Sequence, residues 1–313
     1  MTVNITFKNF CIFCKKKKSK IVASGTDYQY FNTKKTFYWR MCLKCSHYFI
    51  DPIPSKEYLL KLYKGIGNYG EFDKNPGLAF KIKRFLDKIN LKKFVRKDLK
   101  NLRFLDVGCS PGSQMDIIKT YYPEFKTIEG IEMSEEAAML PRSKGYKVYT
   151  GFVEDIKLKD NFYDLIYLQQ VIEHLISPKL VLNKLYKSLR RGGAIVIETP
   201  GLFTWDHALF KDGTWEGYHI PRHLNLWTVN GFYKILKDSK FKKISHKYKL
   251  RPTHWTVSIQ NYLRKKNKFY YLQKRLNMNV KFPFEIIVFT FVEILQILFN
   301  KKTSDIQYAA KKL

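Results

Sequence analysis

The 313-residue sequence has no clean run of 18 apolar residues, so it predicts no membrane-spanning helix. A secretory leader is not expected either, because Met1 to Phe10 is short and the chain from Cys11 onward is polar and basic. Cysteine is scarce: five residues, four of them in two pairs, do not make a secreted disulfide scaffold and point to a reducing cytoplasm. Acids are scarce relative to bases, 27 against 57, which leaves a formal net charge of +30. The excess is confined to the flanks. Leu102 to Pro200 carries 13 residues of each sign, whereas Thr2 to Lys44 has ten bases against Asp27, and Lys234 to Leu313 has 19 against four. Basic flanks attract nucleic acid, anionic lipid or phosphorylated substrates. Solvated lysine-rich surface is the plainer account, since phosphate readers favour arginine. A 45% hydrophobic content suffices for one large domain with an appendage or two.

Four parts are expected, with no internal repeat. Residues 1–50 form a cysteine module, and 51–101 a linker and helical lead-in that starts at the proline-marked DPIPS and passes through GIGNYG. In the lead-in, Phe80, Ile82, Phe85, Leu86, Ile89 and Phe94 recur at helical spacing, predicting a helix that packs its apolar face on the domain behind it. Residues 102–250 alternate strand and helix: LRFLDVG, MDIIKTYY, KTIEGIEM, SEEAAMLPRSKG capped by Ser134, YKVYTG, YDLIYLQQ, PKLVLNKLYKSLRRGG closed by glycine, and AIVIETP. After an aromatic- and histidine-rich loop come TVNGFYKILKDSK and FKKISHKYKL. Residues 251–313 are a helical insertion and, at DIQYAAKK, a last edge strand. This order implies an α/β fold with a doubly wound, mostly parallel seven-stranded sheet, whose site lies beyond the carboxyl ends of the strands.

FLDVGCSPGS ends a strand at Gly108 and turns through Gly112 into a helix, and glycine there lets the backbone approach a ligand closely. Asp106, two residues before the turn, would repel a pyrophosphate but suits a cationic amino group. Glu132 ends the second strand 24 residues past Gly108, where a carboxylate can accept hydrogen bonds from ribose hydroxyls. The implied ligand has a ribose and an amino-acid moiety and no diphosphate.

FLDVGCSPGS, GIEMS, YDLIYLQQVIEHLISP and LYKSLRRGGAIVIETPG, in this order, resemble class I S-adenosylmethionine-dependent methyltransferases with a Rossmann-like sheet, over roughly Leu102 to Lys249. The resemblance implies that Asp106, Gly108 and Gly112 border the methionine part of S-adenosylmethionine, that Glu132 holds the ribose, that Met133 lies against adenine and that Gln169 borders the cofactor. Relatives often have Gly-Asp after the third strand. This chain has GFVEDI with Phe152 there, leaving the adenine amine to Asp155 or to the backbone around Val153.

Cys11-x-x-Cys14 and Cys42-x-x-Cys45, 27 residues apart, suit a tetrahedral structural zinc, with a β-ribbon between the knuckles. Such a site contributes on the order of 10–16 kcal/mol to folding a small module. A redox dithiol is the rival; His47 is a substitute ligand, and Cys109 is a small packing residue. The module, the DPIPS linker and PRHLNLWT together resemble bacterial methyltransferases of surface-polysaccharide and sugar modification. Ribosomal-RNA methyltransferases with a zinc module keep RNA in play.

His174 in VIEHL is the leading general base, with a structural role as its alternative. Glu173–His174 resembles a divalent-ion motif of quinone O-methyltransferases, but one such pair does not make a metal site. His207, His219, His223 and Arg222 cluster after the fifth strand. His223 and Arg222 are further catalytic candidates, and Arg222 can fork onto a carboxylate or phosphate or fold into a lid. FPFEIIVFTFVEILQILFN is an amphipathic helix whose polar residues Glu285, Thr290, Glu293, Gln296 and Asn300 share one face. Docking on the domain or on a second subunit is favoured over an anionic membrane surface at 283–299, at the inner face of the cell membrane, because the polar face is acidic rather than basic. The expected activity is methyl transfer to a small-molecule acceptor, a sugar, sugar nucleotide or glycan, with O-methylation favoured. An RNA substrate and a quinone-type O-methyltransferase are the alternatives.

Overall fold

The strand formers between the two cysteine pairs make an antiparallel ribbon, β1 (Ser19–Gly25) on β2 (Phe37–Cys42), extended by β3 (His47–Asp51). The structure, a computed structural model, describes residues 10–63, 78–95, 99–268 and 283–313. GIGNYG and the side chains of Phe80 and Ile82 lie outside the described residues. The sheet's fourth strand comes from far along the chain. β9 (Asn225–Trp227), inside PRHLNLWT, pairs antiparallel with β3, placing His47 opposite Trp227 and Phe49 opposite Asn225. The apolar face of this sheet therefore shares one core with the stretch after the fifth parallel strand: Phe37, Trp39, Tyr48 and Ile50 pack with Leu202, Trp215, Tyr218, Leu224 and Leu226. DPIPS is part of the packing, with Pro52 and Pro54 buried.

Helices α1 (Lys56–Tyr63) and α2 (Leu78–Leu91) lead into the main sheet. Its strands are β4 (Leu102–Val107), β5 (Phe125–Glu132), β6 (Lys147–Thr150), β7 (Tyr163–Gln169), β8 (Leu189–Pro200), β10 (Lys242–Lys249) and β11 (Asp305–Lys311), in the order β10-β11-β8-β7-β4-β5-β6. The expected α/β sheet is present: β6, β5, β4, β7 and β8 run parallel, and β11 is antiparallel to both of its neighbours. Parallel strands are covered on both faces, and β7 shows it residue by residue. Ile166 and Leu168 pack with α5 (Pro178–Ser188) and α7 (Val229–Asp238), while Leu165 and Tyr167 join the core under α3 (Ser113–Tyr121) and α4 (Glu135–Ser143). Ser134 caps α4 as expected, its Oγ accepting from Ala137 N at 3.3 Å.

Three local expectations are corrected. DIQYAAKK is not an edge strand: β11 lies between β8 and β10 with six of its seven residues buried. The edge goes to β10, whose Lys242, Lys243 and Lys247 make it a poor interior strand and a protected edge. The helix expected to run to Gly192–Gly193 stops at Ser188, because buried Leu189 already starts β8. On α2, Phe85, Leu86 and Ile89 are exposed, and Asp87 and Leu91 turn inward. The polar anchor sets that rotation, since Asp87 binds Lys249 Nζ at 3.0 Å and Gln114 Nε2 at 3.2 Å. Residues 251–313 add α8 (Thr253–Lys265) and α9 (Pro283–Asn300), which meet through a Trp255–Phe289 stack with ring centroids 5.7 Å apart. A one-turn helix, α6 (Trp205–Leu209), is the remaining α-helix among the described residues.

Candidate active site

The carboxyl ends of β4, β5 and β7 converge on the glycine loop. Gly108 and Gly112 both have left-handed backbone, φ +74° and +91°. A Cβ on Gly108 would stand 2.4 Å from Val171 Cγ2, so the loop after β7 closes directly onto the glycine turn. One glycine escaped notice in the sequence. Gly130, paired with Asp106 across β4 and β5, would collide with Cys109 Sγ at 2.5 Å if it bore a Cβ, so Cys109 has the packing role expected of it. Asp106 is buried. Desolvation, and then the neighbouring charge of Glu132, push its carboxyl well above the usual range. A cationic ligand reverses both penalties. Glu132 is aimed by three backbone amides, those of Met133 (2.8 Å), Ser134 (3.2 Å) and Ser110 (3.3 Å). Burial raises its pKa against those hydrogen bonds, and a carboxylate with about four acceptor sites keeps capacity for a hydroxyl donor. Ser110 Oγ on the same loop is buried without a partner. A buried acid facing an anchored acid, beside a glycine turn and an unsatisfied hydroxyl, fits an amino-acid and ribose ligand.

The remaining cofactor candidates divide. Val153 is buried and its carbonyl accepts from Lys184 Nζ at 2.9 Å, which ties the loop to α5. Asp155 is mostly exposed and already engaged by Lys56 at 2.6 Å. Gln169 donates to Glu198 at 2.8 Å and accepts from Gln114 at 3.4 Å, joining a network that includes Tyr167, Gln307, Asp87 and Lys249. Burial alone would raise the Glu198 carboxyl. Lys249 overrides it and holds the acid below its ordinary value.

Beyond β7, the turn Ile172–His174 carries a cluster of histidines. His174 Nδ1 lies 2.8 Å from Tyr63 Oη and 3.1 Å from the Arg222 carbonyl, and its ring meets those of His223 and His219 at centroid distances of 4.5 and 6.1 Å. Burial lowers His174 to about 4, so the ring is unprotonated at neutral pH. Burial likewise holds His219 and His223 well below the ordinary value. Glu173 is fully buried with neither oxygen in a hydrogen bond, its Oε1 4.0 Å from His223 Nε2, and desolvation lifts it to about 8. Donor atoms of Glu173, His174 and His223 all lie within 4.8 Å of one another, so the fold adds a third donor to the pair seen in the sequence. Arg222 is fully buried. Its Nη2 donates to Asp27 at 2.9 Å and to the Leu62 carbonyl at 3.1 Å, its guanidinium stacks on Tyr30, and Nε and Nη1 have no partner. His207 stands apart from this cluster, bonded to Tyr218 at 3.1 Å. Tyr63 and Asp27 were not found by sequence reasoning, since neither lies in a motif and each reaches the cluster only through α1 or the module.

The four paired cysteines meet. Cys11 and Cys45 Sγ are 3.6 Å apart, Cys14 and Cys42 Sγ 3.4 Å, all four fall within 4.8 Å, and none is disulfide-bonded. A tetrahedron of sulfurs about 2.3 Å from zinc has edges of about 3.8 Å, so the cage fits the ion. His47 is 3.5 Å from Cys11 Sγ through Nδ1 and 3.1 Å from Asn225 Oδ1 through Nε2, linking the cage to β9.

A methyltransferase-domain profile matches residues 78–246. An uncharacterized protein of Methanocaldococcus jannaschii is 26% identical over 144 residues, 45% of this chain and 65% of that protein. Phosphoethanolamine N-methyltransferase 1 of Zea mays is 27% identical over 206 residues, 63% of this chain and 37% of that protein. The chain thus spans less than two thirds of either relative. Among solved structures, phosphoethanolamine N-methyltransferase 2 of Haemonchus contortus, in complex with phosphomonomethylethanolamine and S-adenosylhomocysteine, has the same fold with a TM-score of 0.54 at 14% identity, over 94% of this chain and 68% of that one. With the glycine turn, the facing acids and the sheet order in place, the chain belongs to the methyltransferase-domain family and carries a class I, S-adenosylmethionine-dependent methyltransferase domain.

Proposed function

We propose that the enzyme O-methylates a hydroxyl of a small polar acceptor, a sugar, sugar nucleotide or glycan. The observation that carries this is the His174 cluster: an unprotonated imidazole bonded to Tyr63, beyond the strand end that faces the glycine turn, with the partly unpartnered guanidinium of Arg222 behind it. The cofactor supplies a methyl group on a sulfonium, already activated for displacement. In this assignment Asp106 faces the amino group, the Gly108–Gly112 turn passes the methionine part, Glu132 takes the ribose, and Met133 and Val153 flank the adenine. Gln169 acts through Glu198 as a positioning residue. His174 withdraws the acceptor proton, Tyr63 and the Arg222 carbonyl hold the ring, and His223 and Arg222 shape the acceptor side. Histidine, tyrosine and arginine around the base favour a polar acceptor over a quinone. RNA is disfavoured because the module's apolar face is buried in the shared core rather than presented as a separate reader.

The four cysteines are assigned a structural zinc that braces this wall, and five free thiols fit a reducing cytoplasm. The test measures S-adenosylhomocysteine release with nucleotide sugars, RNA transcripts and a quinol. Turnover on a sugar acceptor, lowered about 10²- to 10⁴-fold in kcat by His174→Ala with unchanged cofactor affinity, is expected. Turnover on RNA or quinol alone, or an undiminished His174→Ala enzyme, overturns the assignment.

A further inference from the structure

Helix α9 is mounted inside out. Its polar residues point into the protein. Glu293 is fully buried and accepts from Arg251 N and from Ser304 N (3.3 Å), and Gln296, also fully buried, accepts from Trp205 N at 3.1 Å and donates to the Lys302 carbonyl at 3.0 Å. With those residues and Phe289 and Val292 facing α8 and its neighbours, the opposite side is left outside. Phe284, Ile287, Phe291, Ile294 and Leu298 recur at helical spacing on that side and are 66, 64, 59, 42 and 69% exposed. Phe299, 77% exposed, carries the row onto Trp205 of α6, its ring stacked 6.4 Å away. A contiguous apolar row of this length on a free surface marks an interaction site. The acidity that argued against a membrane in the sequence is consumed internally.

We propose that this face of α9 docks on an anionic lipid bilayer, lying in the interface without crossing it. No helix among the described residues is long and apolar enough to span a membrane, and Glu293 and Gln296 hold α9 to the protein body. Charge selects the occupant. Lys301 and Lys302 follow the helix directly, and Lys302 lies over the Phe203 ring at 5.6 Å, whereas Arg264 and Lys265 at the end of α8 are engaged by the Tyr28 and Gln29 carbonyls and by Asp212. Across Lys234 to Leu313 the only acids are Asp238, Glu285, Glu293 and Asp305, and two of these are buried. An apolar row ending in two lysines matches anionic headgroups over acyl chains. A second copy would bring two faces of the same positive sign together, in a chain whose net charge is +30. The inference is independent of the acceptor assignment.

Flotation of the full chain with phosphatidylcholine vesicles and with vesicles of equal parts phosphatidylcholine and phosphatidylglycerol tests it. Binding to the anionic vesicles is expected to exceed binding to the neutral ones at least tenfold and to weaken with salt. The exposed substitutions Phe291→Glu and Leu298→Glu should abolish it while Tm and S-adenosylmethionine affinity stay as in the wild type. Failure of the wild type to float, equal flotation of the folded variants, or a dimer in sedimentation that the same variants dissolve would each overturn the proposal.

Discussion

Removing either partner of the Asp27–Arg222 pair tests whether the cysteine module and the wall that holds His174 fold as one unit. The residues are 195 positions apart, both fully buried, and 2.9 Å from atom to atom. Truncating one member of such a pair leaves an uncompensated buried charge, a cost of about 3–5 kcal/mol. Arg222→Met should fall toward the lower end, because the Asp27 carboxylate keeps the backbone amides of Tyr30 (3.0 Å) and Asn32 (3.1 Å). Asp27→Asn should fall toward the upper end: Arg222 keeps one hydrogen bond, to the Leu62 carbonyl, besides the Tyr30 and Tyr63 rings, and its Nε and Nη1 already lack partners. The double variant removes both charges at once, so its loss should be smaller than the sum by about 1–3 kcal/mol. Equilibrium urea unfolding at saturating zinc reads this directly, since at a slope of about 3 kcal/mol per molar each single variant moves the midpoint by about 1 M or more. Single losses below about 1 kcal/mol, or additivity within about 0.5 kcal/mol, would show that the pair does not couple the two parts.

Three further outcomes are expected. Gly108→Ala places a Cβ 2.4 Å from Val171 Cγ2 at φ +74°, so calorimetric affinity for S-adenosylmethionine should fall at least about tenfold, and Val171→Ala should restore only part of it because the left-handed backbone strain stays. Unchanged binding by Gly108→Ala would remove the close approach from the account. Burial pushes Glu216 up to about 8, above its unfolded value. The stability it contributes at low pH is therefore lost as pH rises from about 4.3 toward 8, by about 1.4 kcal/mol per unit, and Glu216→Gln should lack that slope; a difference between the two proteins that does not vary with pH contradicts this. Chelation of zinc, or Cys45→Ser, should lower Tm and abolish methyl transfer while cofactor binding persists, because β3 pairs with β9 and His47 bridges Cys11 to Asn225. A chelated enzyme that turns over normally would make the cage irrelevant to the acceptor wall.

Much of the cofactor side was legible from the amino acids. Gly108, Asp106 and Glu132 sit within one strand-turn unit or at the end of the adjacent strand, so their spacing along the chain already implies their spacing in space. Gly130 was not legible, because the need for a bare backbone arises from Cys109 on the neighbouring strand. Phe85, Leu86 and Ile89 have faultless helical spacing and still face out, since a single buried acid, Asp87, set the rotation of α2. Periodicity locates a stripe but not the direction in which it points. The same limit applies to α9: its polar residues share one face in the sequence, and only the fold shows that Glu293 and Gln296 on that face are the buried ones.

The sheet's parallel core, the glycine turn, the facing acids and the pairing of cysteines into knuckles are readable from the amino acids alone, because each rests on contacts made within a turn or across one strand-helix unit. Only the tertiary structure decided that β11 enters between β8 and β10, that the cysteine module closes its sheet with a strand from residues 225–227, and that Tyr63, His174, His223 and Arg222 share one wall. These depend on chain segments returning from long range to satisfy buried polar groups and sheet edges. That choice is made by the whole assembly and leaves no local pattern to read.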